Sequence, residues 1–160
     1  MSGEFPSIAE LLPQAGAMRL LERVLAHDGE RTRCEVLPSR SALFQQNGRI
    51  PSWVAIEYMA QCAAADGMLR LRARGETPRP ALLIGSRRIT FRCAGFEPAQ
   101  RLVVSARHAA GRRELLAFDC AVEDPAGGAP LVEGRVNVLP LAPTSLASGS
   151  LRAAFGRLRS

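Results

Sequence analysis

Residues 51–74, PSWVAIEYMAQCAAADGMLRLRAR, leave a folding chain few options. Pro51 and Ser52 are helix-start residues, and Ser52 can cap the first free amides. Ala, Met, Leu and Gln dominate the rest of the stretch, and all are good helix formers. A surface helix shows one apolar stripe. Here Trp53, Val54, Ile56, Met59, Cys62, Ala63, Ala64 and Ala65 cover nearly the whole circumference. The expectation is one long helix enclosed by the rest of the fold. Polarity returns at its C-terminal end, with Arg70, Arg72 and Arg74 before Gly75. Glu57 and Gln61 lie inside the apolar part, four residues apart and so on one face. A carboxylate there is costly unless it is partnered or used. Function is therefore expected on this helix.

Around it the pattern is mostly strands. Ser7-Ile8-Ala9-Glu10 is a capping-box pattern that opens a short helix, which Pro13 ends. Residues 14–18 are a connector. Residues 19–27 and 30–37 read as a hairpin across Asp28-Gly29, with Arg31, Arg33 and Glu35 alternating with Thr32, Cys34 and Val36. Residues 38–50 read as an irregular polar stretch. After the helix come strands over 81–93, 101–108, 114–123 and 131–139. The third is the clearest, with Leu116, Phe118, Cys120 and Val122 on one side. Two strands before the helix and four closely spaced strands after it predict an antiparallel sheet. A sheet curled around one apolar helix buries both and leaves edges that a second copy can cover. This is an α+β hot-dog fold, a curved antiparallel sheet wrapped around one long central helix and normally built as a dimer. The domain is expected over 1–140, followed by an Arg-containing tail over 141–160.

Length and composition exclude several classes. A chain of 160 residues with 47% hydrophobic content suits one globular domain with a real core. No signal peptide is evident, and the apolar helix is too short and too interrupted to span a bilayer. No membrane association and a cytoplasmic location are expected. Cys34, Cys62, Cys93 and Cys120 lack metal-ligand spacing, so free thiols and no metal are expected. All 21 basic residues are Arg, and three lie in the tail (Arg152, Arg157 and Arg159). They are scattered among few aromatics, which argues against nucleic-acid binding. A mildly basic surface still suits an acidic partner.

Several stretches resemble a known family. Leu11-Leu12-Pro13-Gln14 followed by Met18-Arg19-Leu20-Leu21-Glu22-Arg23-Val24 is similar to the opening of FabZ-type 3-hydroxyacyl-(acyl-carrier-protein) dehydratases. Ile56-Glu57-Tyr58-Met59-Ala60-Gln61 resembles their central-helix motif, and Phe96-Glu97-Pro98 a later turn. The strongest likeness is to the ApeP-like dehydratases associated with aryl polyene synthesis. It runs through Pro51-Ser52-Trp53-Val54-Ala55-Ile56-Glu57, Gly85-Ser86-Arg87-Arg88 and Gly134-Arg135-Val136-Asn137-Val138. The resemblance covers residues 7–139.

It implies a substrate carried on the phosphopantetheine of an acyl carrier protein, with no other cofactor. Dehydrating a 3-hydroxyacyl thioester requires a base for the proton beside the carbonyl and an acid for the departing hydroxyl. Helix N-terminal amides can hold the thioester oxygen as charge develops. Glu57 stands at the family's helix carboxylate, and Gln61 would tether the site. Ser52, Trp53, Gln14 and Gly85 are the further substrate-binding candidates. Arg87, Arg88 and Arg92 are candidates for docking the carrier protein.

The match breaks at the family's loop histidine. The loop before the helix reads Gln45-Gln46-Asn47-Gly48-Arg49-Ile50-Pro51-Ser52, and Gln14 replaces the histidine of the opening motif. The two histidines present, His27 and His108, read as exposed hairpin ends. Three functions stay open. The first is a dehydratase with Glu57 as acid/base, in a homodimer or a heterodimer with another hot-dog dehydratase. The second is a catalytically weak subunit of a heterodimeric dehydratase whose partner brings the histidine. The third is a hot-dog acyl thioesterase, in which a helix carboxylate alone drives hydrolysis.

Overall fold

The hydrophobic alternation resolves into one large sheet in the computed structural model, which describes residues 4–79, 81–111 and 115–141. In chain order, α1 is Ile8–Leu11, β1 Leu21–His27, β2 Arg31–Val36 and β3 Ile50–Pro51. The long helix α2 spans Ala55–Ala73. After it come β4 Ala81–Phe91, β5 Gly95–Phe96, β6 Leu102–Ala110, β7 Leu116–Glu123 and β8 Val132–Pro140. The six long strands form an antiparallel sheet in the order β1-β2-β6-β7-β8-β4. Two of them precede α2 and four come after it, as the alternation predicted. β3 and β5 pair separately.

The period of two decides which side faces the helix. Cys34 and Val36 of β2, Val104 and Ala106 of β6, Phe118 and Val122 of β7, and Val132 and Val136 of β8 are all buried. Tyr58, Met59, Cys62, Ala65 and Leu69 of α2 share that core. Each fully buried large side chain contributes about 1.5–3 kcal/mol of transfer free energy. Tyr58 also carries a hydroxyl, which meets Ser41 Oγ at 2.7 Å. At the N-terminus the Ser7 amide and hydroxyl both donate to the Glu10 carboxylate, at 2.8 and 2.7 Å, so the capping pair forms as read. All four cysteines are free, and Cys93 is only half-buried.

Four expectations are corrected. The helix is not enclosed all round: the sheet covers one side, while Trp53 is 50% exposed and Ile56, Glu57, Ala64 and Met68 are half-buried. Part of its apolar circumference is therefore left uncovered by the described residues. Ser52 does not cap α2, because a 3-10 turn over Ser52–Val54 comes first and its amide donates to Ala94 O at 3.1 Å. Residues 38–44 form a 3-10 segment rather than irregular chain, and Phe96 is a buried strand residue, the turn beginning after it at Glu97. A Cβ on the substrate-binding candidate Gly85 would meet nothing within 4 Å. The tight position is Gly134, where a Cβ would lie 3.0 Å from Arg88 O and strike Ile89. Of the expected tail, Leu141 packs against the fold and the remainder lies outside the described residues.

Candidate active site

Glu57 and Gln61 meet as their spacing requires. Gln61 Nε2 donates to Glu57 Oε1 at 3.0 Å and to Met18 O at 2.7 Å, while Gln61 Oε1 accepts the Leu20 amide at 3.0 Å. The surroundings fix the amide's orientation, since a backbone N–H demands the oxygen and a carbonyl the nitrogen. One fully buried side chain thus fastens the connector before β1 to the helix and holds the carboxylate. Glu57 itself is half-buried and lies at the margin of the core.

That margin continues along the helix. At 3.6 residues per turn Trp53, Glu57, Ala64, Met68 and Leu71 fall on one side of α2. Trp53 meets Phe44 edge-to-face at 5.7 Å. Beyond Glu57, an 870 Å³ groove is lined by Ala64, Gly67, Met68 and Leu71 from α2, with Leu12 and Gln14 beside them. Leu116, Phe118 and Val138 of the sheet form its floor. From Glu57 to Leu71 the helix rises about 21 Å. Gln14 Oε1 is buried with no hydrogen-bond partner. An unpaired buried acceptor in apolar surroundings is a place where a ligand's donor group gains free energy. A Cβ on Gly67 would meet nothing, so this helical glycine keeps the groove open rather than avoiding a clash.

The remaining candidates are dispersed. Ser52 and Trp53 stand at the helix entrance, and the Ser52 amide is already engaged. Gly85 is on β4. Arg87 and Arg88 are exposed on the side of the sheet facing away from α2, and Arg92 is occupied by Glu133 at 2.9 Å and Pro130 O at 3.0 Å. Their positions bring none of these guanidinium groups to Glu57.

Both histidines depart from the exposed positions expected of them. His108 falls on the inward parity of β6, packs edge-on against Phe118 at 5.6 Å and lines the groove. The His27 side chain is only 16% exposed, because Asp66 of α2 draws a polar cluster inward. Thr32 Oγ1 donates to Asp66 Oδ1 at 2.7 Å, so His27 Nδ1, 2.8 Å from that hydroxyl, must be the protonated nitrogen. Arg70 Nε closes the cluster on Asp66 Oδ2 at 2.6 Å. Sequence reasoning missed Asp66, although Arg70 four residues on was the available signal. Among the described residues no three His, Cys, Asp or Glu side chains are grouped to hold a metal ion. No helix among them is long and apolar enough to cross a membrane.

A family model described as ApeP-like, ApeP dehydratase, matches residues 6–148. No curated protein matches the sequence. Among solved structures, a chain of the dehydratase heterocomplex ApeI:P from Xenorhabdus doucetiae superposes with a TM-score of 0.82 at 26% identity, covering 90% of this chain and 97% of that one. AziG from S. sahachiroi gives 0.61 and 18%, covering 82% and 98%. Zebra fish thioesterase superfamily member 2 gives 0.61 and 16%, covering 84% and 91%. The last two are similar in fold.

Proposed function

The chain belongs to the ApeP-like dehydratase family, and from that we propose that it is one half of a two-subunit dehydratase acting on 3-hydroxyacyl thioesters of an acyl carrier protein. The observation that carries the reading is Glu57, held by Gln61 on the side of α2 that lines an apolar groove two turns further on, with no histidine in the preceding loop. Dehydration removes the C2 proton, breaks the C3–O bond and releases the hydroxyl as water, leaving a 2-enoyl thioester. One group accepts a proton while another delivers one. Glu57 supplies one of these transfers, and a histidine from the second subunit supplies the other. The similarity to a chain of a dehydratase heterocomplex supports a hetero-partner over a second copy.

The partner would sit over the uncovered helix side at Trp53 and Ile56. Trp53 lies in the first turn, where the helix offers its amide no acceptor, and that amide could hold the thioester oxygen. The acyl chain would run along the groove, and a hydroxyl on it could donate to Gln14 Oε1. No cofactor beyond the carrier's phosphopantetheine is required.

The test incubates a 3-hydroxyacyl carrier-protein thioester with the chain alone, with a histidine-bearing hot-dog dehydratase, and with both. Loss of one water by mass only in the mixture, abolished by Glu57→Ala, is the expected result. Turnover by the chain alone would replace the two-subunit reading with a self-sufficient enzyme. Release of free thiol would support hydrolysis instead, since Glu57 needs no histidine to activate water.

A further inference from the structure

The strand register aligns charged residues from five strands on the side of the sheet turned away from α2. Arg31 of β2 pairs with Arg107 of β6, Arg107 with Asp119 of β7, Asp119 with Arg135 of β8, and Arg135 with Arg87 of β4. The row therefore reads Arg-Arg-Asp-Arg-Arg across four strand spacings, about 19 Å. All four arginines are exposed. Asp119 lies 2.7 Å from Arg135 and 3.7 Å from Arg107. Among the described residues Arg31, Arg87 and Arg88 form no ion pair. Like charges directly opposite in an antiparallel pair are destabilising. This sheet holds two such pairs, Arg31 with Arg107 and Arg87 with Arg135.

Further features mark the β4 end as shaped. Arg88 is a non-glycine residue at φ 52°, in a bulge between Arg87 and Thr90. Gly134 lets that bulge press onto β8, and a 670 Å³ groove lies there between Arg87, Arg88, Glu133 and Arg135. A backbone turned into the left-handed region costs free energy that ordinary strand pairing would not.

We propose that this row is a docking surface for an acidic helix of a protein partner, laid across the strands. The spacing favours a helix. Arginines on neighbouring strands recur about every 4.8 Å, and carboxylates on one helix face about every 5.4 Å. Four arginines against one aspartate match a line of carboxylates in charge as well as in length. The surface is on the opposite side of the sheet from Glu57, so docking there is separate from the reaction.

The test uses the full chain at low salt. Its probe is a helical peptide of about 18 residues with Glu on successive turns of one face, and a Gln counterpart serves as control. Binding of the Glu peptide is expected, weakening steeply with salt, and the Gln peptide should not bind. The double variant Arg31→Gln/Arg87→Gln should lose roughly tenfold in affinity. Its melting temperature should hold or rise, because each substitution relieves one like-charge pair. Arg72→Gln, on α2, should bind unchanged. Equal binding of the two peptides, or an unaffected double variant, would overturn the proposal. So would tighter binding to duplex DNA than to the Glu peptide in the same buffer, which would assign the row to nucleic acid. None of these outcomes depends on turnover, so the docking proposal and the dehydratase reading fail independently.

Discussion

Gln61 shows how much one amide can hold. Replacing it with Ala would strand the Leu20 amide and the Met18 carbonyl and release Glu57 from its side-chain partner among the described residues. A buried Leu20 amide and a part-buried Met18 carbonyl left unpaired cost about 2–4 kcal/mol together. Urea unfolding of Gln61→Ala should record a loss of that size, and a loss under about 0.5 kcal/mol would remove the tether from the argument. Tyr58 gives the second prediction at this scale. Burial raises its phenol to about 12, with the Ser41 hydrogen bond opposing. An unfolded tyrosine ionises near 10. Between those values the unfolded chain binds fewer protons, so stability falls as pH rises from 10 to 12. Burial also pushes the thiols of Cys62 and Cys120 up, so part of the alkaline loss is theirs. Tyr58→Phe should flatten the curve in that window, by about 2 kcal/mol at most. An unchanged slope would mean that the phenol is not sequestered. The acid Asp66 is hard to see in the sequence because it comes after three alanines and precedes a glycine. Its partners Thr32 and His27 come from a hairpin more than thirty residues earlier, so only folding brings them together.

At the scale of elements, α2 carries the test of the groove. Glycine inside a helix costs about 1 kcal/mol relative to alanine. Nothing crowds Gly67, so Gly67→Ala should stabilise the protein by up to that amount, measurable by denaturant titration. Gly67→Leu should instead fill the groove. If acyl chains lie there, it should narrow turnover to short substrates, while unchanged chain-length preference would place the chain elsewhere. The six long strands were legible in the sequence because inward Cys34, Val36, Phe118, Val122 and Val136 alternate with polar neighbours. The β3–β5 ladder was not, since two-residue strands contain no period to read. The histidines were misjudged for a similar reason: proximity to a turn suggested exposure, but parity carried His108 inward and Asp66 drew in His27. Glu57 and Gln61 were legible from their spacing alone, whereas the loop that should have supplied a histidine announced only its lack.

For the whole molecule, the uncovered strip on α2 and the strand β4 at one end of the sheet are where the proposed second chain would sit. Trp53 is the single tryptophan and is half exposed in the isolated chain. Its emission should shift to the blue when a hot-dog partner is added, in step with doubled mass by sedimentation. Trp53→Glu should abolish both while leaving the chain folded. A partner that binds without moving the emission would lie on another surface. The mounting of Glu57 has a wider consequence. Because one side chain joins the opening connector, the long coil and the acid, abandoning the reaction would not free either residue to change. Descendants could hand all their chemistry to a neighbour and still display the pair intact, so a census of it across genomes would count sound scaffolds rather than working catalysts.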